Sequence, residues 1–474
     1  MSFRPSTPAV EAPPAKPSSA TTVIATLMAA VFLSLLDTQI VATALPRVIG
    51  DLGGLNAFAW VTTGYLIAGS AAAPVYGKLG DLLGRKRIFL IAILVFLAGS
   101  AACSLAQTMP QLIAFRLIQG VGSGGLFISV LAIIGEMFSP REGARYYGWF
   151  SLTFGAASLA GPTLGGLLTD LAGWRWIFLI NLPIGALVIF IVAIRLHLPP
   201  HTKKKARIDY LGVLLLITAV VALNLLTTWA GTTHAWTSPI IIGLAATAAL
   251  SSALFVLSQR RAADPVIPPR LFRDRTFTIV IAVGFIAGFL GLGIVNYLVL
   301  WLQNVLTVSI QSSGYLLTAM MLGVVATSYT STKLIARTGS YRWHPVASMA
   351  VFAVAAALFT TAGPTTSPAL AAVYLTLFGI AGGLNTQALS LAARNTTSRT
   401  DIGVTQGTAT LARQSGTALG VSFFAALMTS RLPYGAASPT AYADALQPVF
   451  IAVIPIALIG LVLSLFLPNT RLSA

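Results

Sequence analysis

The chain has 474 residues, of which 56% are hydrophobic and only 9% are charged, whereas soluble globular chains carry roughly 25% charged residues. A membrane-spanning helix needs about 20 apolar residues, so most of this chain must lie in lipid, which leaves no room for a sizeable soluble domain. The single cysteine, Cys103, excludes an intramolecular disulfide, a CxxC redox pair and a cysteine-rich metal site. The net charge of +17 would indicate a nucleic-acid partner in a soluble protein, so its meaning depends on where the charges lie.

Apolar runs that are bounded by charge clusters, Pro and Gly predict fourteen membrane spans. The chain begins with a segment rich in Pro, Ala and Ser, residues 1–21, which is typical of a disordered cytoplasmic tail. The predicted spans are 22–44, 57–76, 88–107, 110–135, 146–169, 177–196, 210–229, 238–257, 277–303, 312–332, 346–363, 368–393, 402–429 and 447–467. We therefore predict an all-α polytopic membrane protein.

The Lys and Arg residues are distributed unevenly between the two sides of the membrane. The chain has 29 such residues, and only three of them fall between spans on the side opposite the N-terminus: Arg47, Arg175 and Arg431. Two more, Arg116 and Arg413, fall within spans. This distribution follows the positive-inside rule and predicts that both termini are cytoplasmic. The positive charges are then topological signals that also meet anionic membrane lipid, and we expect no nucleic-acid partner.

The sequence contains an internal repeat. The loop after span 2 reads GKLGDLLGRKR (77–87), and the loop after span 10 reads TKLIARTGSYR (332–342). Leu334, Gly339 and Arg342 stand where the first loop has Leu79, Gly84 and Arg87. We predict a six-helix bundle over 22–196, linkers and two inserted spans over 197–275, and a second six-helix bundle over 276–474. Such repeats are typical of secondary transporters with a substrate site at the midplane.

The first copy of this loop closely resembles the loop signature of the major facilitator superfamily. The residues that carry the resemblance are Gly77, Asp81, Gly84, Arg85, Lys86 and Arg87. The resemblance implies that Asp81 packs towards the N-terminal end of a helix from the other half, where the helix dipole favours a carboxylate, and that the three basic residues add a charge-assisted latch at a cytoplasmic gate. Because the second copy has Thr332 for Gly and Ala336 for Asp, we expect the gate to be asymmetric.

Span 5 reads GWFSLTFGAASLAGPTLGG (148–166) and resembles the antiporter signature of exporters in this superfamily. Its small residues let a neighbouring backbone approach, and its proline frees a carbonyl and bends the helix. Ala157 stands where the signature prefers Gly, but it is still small. The residues that match are Gly148, Gly161, Pro162, Gly165 and Gly166. This motif favours export over uptake.

Four further segments resemble the fourteen-span drug:proton antiporter family, which includes quaternary-ammonium and multidrug exporters. They read LDTQIVATALP (36–46), LIAFRLIQGVGSGG (112–125), WRWIFLINLPIG (174–185) and RQSGTALG (413–420). The resemblance extends over nearly the whole chain. It implies the major facilitator fold, with two pseudo-symmetric six-helix bundles and two inserted central helices.

Charged residues inside spans are functional candidates, because each costs roughly 2.5 to 3.5 kcal/mol at a helix centre. Asp37 is the one acid well inside a span; it lies about 10 Å below the outer end of span 1, and Arg116 lies about 9 Å below the outer start of span 4. We predict that the two side chains meet and that they couple transport to protons, although a fixed structural ion pair is the alternative.

The family resemblance places other polar residues around a central cavity. Each of them could instead make a hydrogen bond between helices. Arg413 has no obvious acidic partner, so it faces a watery cavity, lies nearer the cytoplasm, or bonds backbone carbonyls. The candidate cavity residues are Gln39, Gln119, Asn296, Tyr297, Gln303, Asn385, Gln387 and Arg413.

These features predict proton-coupled efflux of hydrophobic or amphiphilic small molecules, expected to be cationic, by alternating access. The alternatives are a dedicated exporter of one antibiotic or lipid, and a proton-coupled uptake symporter. The sequence has no G-x-x-x-x-G-K-[ST] phosphate loop and no H-E-x-x-H, so we expect neither a primary pump nor an enzyme. We expect a monomer in a bacterial inner membrane that is driven by the proton gradient, with no cofactor and no metal.

Overall fold

The computed structural model describes residues 20–53, 59–198, 209–231, 233–395, 397, 401–431 and 438–468. Nearly all of the predicted tail, residues 1–21, and most of the basic linker after span 6 lie outside this part. Within it, regular structure is helical, apart from one isolated bridge between Ala230 and His234.

Sixteen α-helices and one short 3-10 helix (Pro269–Arg273) follow one another along the described chain. The α-helices are α1 (Ala20–Leu52), α2 (Ala59–Leu83), α3 (Arg85–Ser104), α4 (Met109–Met137), α5 (Pro140–Ala172), α6 (Trp176–Leu179), α7 (Asn181–Arg195), α8 (Tyr210–Trp229), α9 (Pro239–Arg261), α10 (Arg275–Leu290), α11 (Leu292–Asn304), α12 (Ile310–Thr338), α13 (Trp343–Thr360), α14 (Pro368–Asn395), α15 (Ile402–Thr429) and α16 (Pro439–Leu465).

Every predicted span coincides with a helix or a pair of helices. Spans 6 and 9 are each divided, at Ile180 between α6 and α7 and at Gly291 between α10 and α11. Two helices extend eight residues beyond the predicted spans. α1 continues to Leu52, where the indole of Trp174 donates a 2.9 Å hydrogen bond to Asp51. α16 begins at Pro439, because the Ser438 side chain caps its first turn.

Ten of the described helical segments are long and apolar enough to cross a membrane. They are α1, α3, α4, α6–α7, α8, α9, α10–α11, α13, α14 and α16. The four other long helices, α2, α5, α12 and α15, are richer in small and polar residues. The total of fourteen crossings therefore stays a prediction.

The helices form two bundles, α1–α7 and α10–α16, that share one packing pattern. In the first bundle α4 packs on α2 and α3, and α1 packs on α5. In the second, α14 packs on α12 and α13, and α10 packs on α15. The aromatic and aliphatic side chains of each bundle fill its interior, for example Phe96 in the first and Phe352 in the second.

The two bundles meet through the four less apolar helices, because α2 packs on α15 and α5 packs on α12. Gly77 lies directly against the backbone of Gly403, and Gly407 lies against Pro74. Small residues let the backbones approach this closely. We call the end of the molecule where α2 ends and α3 begins the basic end, because Arg85 and Arg141 lie there.

The inserted pair α8–α9 contacts both bundles, since α8 packs on α2 and on α15. At the end opposite the basic end, the ring of Trp229 lies 5.6 Å from that of Trp60, and Ser422 donates a 3.1 Å hydrogen bond to the Thr227 carbonyl. The pair therefore lies along the α2–α15 interface.

Candidate functional site

The centre of the first bundle holds a buried ion pair. Arg116 of α4 donates from Nη1 to Asp37 of α1 over 2.5 Å. Arg116 is 0% exposed and Asp37 is 1% exposed. The other carboxylate oxygen accepts hydrogen bonds from Gln119 at 2.8 Å and from Asn181 at 3.1 Å. The structure thus brings together the two residues whose depths predicted a contact, and it adds Asn181 of α7.

A second layer of contacts holds this cluster in place. Ser100 of α3 accepts from Asn181 and from Gln119, and its own hydroxyl donates to the Phe178 carbonyl. The Arg116 Nε donates to the Val61 carbonyl at 3.0 Å. The Asp37 carboxylate and the side chains that bind it therefore tie α1, α2, α3, α4 and α7 together.

The guanidinium of Arg116 also packs on an aromatic face. Its central carbon lies 4.1 Å from the centre of the Tyr65 ring, which is close enough for a cation–π interaction. The Tyr65 hydroxyl donates to the Ser34 carbonyl on α1. Sequence reasoning missed Asn181 as a partner of Asp37, although it lies in the segment that resembles the antiporter family.

The basic end is held by Asp81 at the end of α2. Its carboxylate accepts from the backbone N–H groups of Gly403 at 3.0 Å and Val404 at 2.9 Å, and from Arg85 at 3.1 Å. The acid therefore lies at the N-terminal end of α15, as the resemblance implied, where the helix dipole favours a negative charge. Arg85 also lies 3.4 Å from Glu136 at the end of α4.

Asp81 lies beyond the apolar stretch of α2 and is nearly buried there. Burial raises the pKa of its carboxyl from 3.8 to about 6, although Arg85 and the two backbone N–H groups act in the opposite direction. Desolvation of the charged form is the larger effect.

The other basic residues of this loop have different surroundings. Lys86 donates to the Ala193 and Leu196 carbonyls at the end of α7, each over 2.8 Å, so it joins two helices of one bundle. Arg87 is exposed. Gly84 has a φ of 95°, which side chains other than Gly rarely adopt. Of the residues in the predicted latch, Asp81 and Arg85 thus lie together beside the start of α15, and Lys86 and Arg87 lie apart from them.

The second loop copy makes a different contact. Arg141 at the start of α5 donates to the Ala336 and Arg337 carbonyls at the end of α12, over 3.0 and 2.7 Å. Arg394 at the end of α14 donates to the Gly135 carbonyl over 2.6 Å. Sequence reasoning named neither arginine, because a backbone carbonyl leaves no residue signature.

The antiporter motif of α5 packs on two helices. Gly148 lies beside Thr332 of α12, whereas Gly161 and Gly165 lie directly against Gln39 and Thr43 of α1. Nothing lies near Gly166 on its open side. Pro162 falls within α5, and its side chain is outside the described atoms. The motif therefore permits close packing both within the first bundle and across the interface.

The remaining cavity candidates fall into three groups. Tyr297 donates to the Val421 carbonyl at 2.5 Å and Gln303 donates to Ser313 at 3.1 Å, so both join helices. Asn296 is exposed, whereas Gln387 is buried. The side chains of Asn385 and Arg413 make no hydrogen bond to any residue that the structure describes, and we return to them below.

Comparison with known proteins identifies the fold and its relatives. A family model described as the Major Facilitator Superfamily matches residues 27–421. The chain belongs to this superfamily. The multidrug transporter protein MdtP of Bacillus subtilis is 34% identical over 416 residues, which cover 88% of this chain and 76% of that protein. Multidrug resistance protein 3 of the same organism is 35% identical over 416 residues, which cover 88% and 81%.

A solved structure shows the same architecture. The human organic anion transporter MFSD10 superposes with a TM-score of 0.65 at 17% identity, covering 94% of this chain and 99% of that chain. The predicted major facilitator fold and the resemblance to multidrug exporters of the superfamily are confirmed. The protein is a multi-span membrane transporter.

Proposed function

We propose that the protein exports hydrophobic or amphiphilic small molecules in exchange for protons, by alternating access. The observation that carries this proposal is the buried Asp37–Arg116 pair, in which the carboxylate also accepts hydrogen bonds from Gln119 and Asn181. A buried ion pair is weak evidence for stability, since apolar residues of the same volume often do as well. Its retention in a membrane bundle favours a functional role.

Protonation of Asp37 would change the forces on three helices at once. A neutral carboxyl loses its charge-assisted hydrogen bond with Arg116, which would then be a buried cation without a counter-ion. It also accepts more weakly from Gln119 and Asn181. The contacts of α1 with α4 and α7 would therefore differ between the protonated and the ionised states, which is what coupling requires.

The interfaces support alternating access. At the basic end, several side chains join the two bundles or brace the helices that join them. They are Asp81, Arg85, Arg141 and Arg394. We place that end in the cytoplasm, because basic loops stay inside. This conformation would then be closed towards the cytoplasm, and breaking those contacts would open it for loading.

We further propose that the protein works as a monomer in a bacterial inner membrane, with both termini in the cytoplasm. The transmembrane proton gradient supplies the energy, with no bound cofactor. One charge that crosses 100 mV yields about 2.3 kcal/mol. Export is supported by the small-residue motif of α5 and by the names of the Bacillus subtilis relatives.

The proposal is tested in inside-out membrane vesicles with fluorescent amphiphiles of either charge, the cation ethidium and an anionic dye, and a pH probe in the same cuvette. Wild type should take up dye and dissipate the pH gradient. Asp37→Asn should retain the fold but lose dye-dependent proton movement, because Asn cannot titrate. Asp170→Asn makes the same chemical change at an exposed site near the end of α5 and should behave as wild type.

Three results would count against the proposal. Unchanged proton coupling in Asp37→Asn would make the pair a fixed structural contact. Dye movement that runs with the proton gradient, rather than against it, would indicate an uptake symporter. Transport of no dye of either charge by wild type would favour a dedicated cargo such as one antibiotic or a lipid.

A further inference from the structure

Arg413 of α15 is a charge without a partner. Among the residues that the structure describes it makes no ion pair, and no side-chain hydrogen bond of it is seen, yet it lies about 16 Å along α15 from the basic end. Arg413 is half-buried, and a charge at this depth is expensive unless something binds it.

Asn385 of α14 is the second unpartnered group. It is 1% exposed, and neither its amide nitrogen nor its amide oxygen has a hydrogen-bond partner in the described protein. It lies about 15 Å from the basic end, where α14 ends. Arg413 and Asn385 are thus at nearly the same depth on two helices that contact each other.

The glycines of α10 bring these two residues beside one stretch of that helix. A methyl group at Gly284 would lie 3.7 Å from Leu389 of α14, and one at Gly288 would meet the backbone of Arg413. One turn along α10 leads from Gly284 to Gly288 on the same face. Because α14 runs in the opposite direction, one turn from Leu389 leads to Asn385. Asn385 and Arg413 therefore both lie next to the Gly284–Gly288 stretch of α10, where α10, α14 and α15 meet.

The contrast with the first bundle decides which charge a cargo can meet. The Asp37 carboxylate already accepts from Arg116, Gln119 and Asn181. It offers no free oxygen to a cationic cargo. Arg413 has no counter-ion among the residues that the structure describes, so this part of the interior is electropositive.

We propose that the site where α10, α14 and α15 meet binds the carboxylate, or an equivalent oxyanion, of an amphiphilic cargo. Arg413 supplies the charge and two parallel N–H donors, and the Asn385 amide nitrogen supplies a further donor. The Asn385 amide oxygen accepts from a hydroxyl or N–H group beside the anion. This inference rests on the proposed export function, and it replaces the cationic cargo that the sequence suggested with an anionic one.

The test is a series of probes that differ only in charge: naphthoate, naphthylmethanol and naphthylmethylammonium. Binding to the purified full chain is measured by calorimetry with no membrane gradient. Wild type should bind naphthoate tightest and the cation weakest. Arg413→Gln should weaken naphthoate binding at least about tenfold, the usual scale for a lost hydrogen bond to a charged group, and should leave naphthylmethanol binding unchanged, which also shows that the variant is folded.

Two variants serve as controls. Asn385→Asp places a carboxylate beside Arg413 and should also abolish the preference for naphthoate. Arg195→Gln removes the same charge from an exposed site at the end of α7 and should change nothing. A preference for naphthoate that survives Arg413→Gln, or a wild type that binds naphthylmethanol as tightly as naphthoate, would overturn the proposal.

The source of the anion is distinguished by a chloride arm. If chloride binds in an Arg413-dependent manner and naphthoate does not displace it, the site holds an inorganic ion and the inference about cargo is wrong. Repeating the binding series in Asp37→Asn separates this inference from the proposed function. The preference for the anion should persist there, even though proton coupling is lost.

Discussion

Two of the interfaces that join the bundles at the basic end use the helix dipole with opposite signs. At the α2–α15 interface, the carboxylate of Asp81 accepts N–H groups at the positive start of α15. At the α5–α12 interface, the guanidinium of Arg141 donates to carbonyls at the negative end of α12. Each charge thus complements the terminus that it meets.

The two contacts differ in burial, and burial determines their strength. The side chains of Asp81 and Arg85 are 4 and 5% exposed, whereas Arg141 is exposed to solvent. Charge-assisted hydrogen bonds are strong where water is excluded and weak where it competes. The comparison teaches that the duplicated loop has kept its place in the fold but not its chemistry, so the α2–α15 interface should control opening.

The largest effect is expected from Asp81→Asn. The variant loses the charge that binds Arg85 and two backbone N–H groups, which should cost the closed state about 2 kcal/mol, or roughly thirtyfold in the ratio of closed to open molecules. Spin labels at Leu83→Cys and Thr338→Cys, both exposed, should report a longer distance between the bundles. Cys103 is fully buried and should stay unlabelled. An unchanged distance distribution would show that Asp81 does not hold this end closed.

A matched pair of glycine substitutions should give an intermediate effect. A methyl group at Gly77 would collide with the backbone of Gly403, which cannot move without parting α2 from α15. A methyl group at Gly148 would lie 3.3 Å from the Thr332 hydroxyl, a side chain that can yield. Gly77→Ala should therefore cost about 1 to 3 kcal/mol of closed-state stability, and Gly148→Ala less. The same label pair measures both, and equal effects would remove the proposed difference between the interfaces.

The smallest effect is expected from Arg141→Gln. The exposed guanidinium contributes at most about 1 kcal/mol, so the label distance should shift slightly and transport should fall by less than about fivefold. High salt should reproduce part of this effect in wild type, because it screens exposed charges. A loss as large as that in Asp81→Asn would make the α5–α12 interface the controlling one.

The sequence predicted contacts where the residue type and its depth along a span identify the partner. The contact between Asp37 and Arg116 followed from two charges at equal depth, and the position of Asp81 followed from a loop signature. Asn181 could not be placed, since its approach to Asp37 depends on how α7 packs on α1. The carbonyl contacts of Arg141 and Arg394 were also hidden, because every residue has a carbonyl and only the fold selects which one is met.

The inserted helices show the same limit. Their apolar sequences predict two spans, but nothing in them indicates that α8 lies along α2 and α15. That position depends on the shapes of the neighbouring surfaces, where Val220 and Leu216 pack near Ala71. The sequences of α8 and α9 alone do not specify this position, because the surface on which α8 packs exists only when α2 and α15 are in place.

The most direct test of the account uses purified protein in proteoliposomes with no imposed pH gradient. A gradient of an exported amphiphile is applied, and the internal pH is recorded as the cargo moves. The account predicts that protons move in the direction opposite to the cargo in wild type and in Asp170→Asn, and that this movement is absent in Asp37→Asn. Cargo movement without any proton movement in wild type would contradict the account.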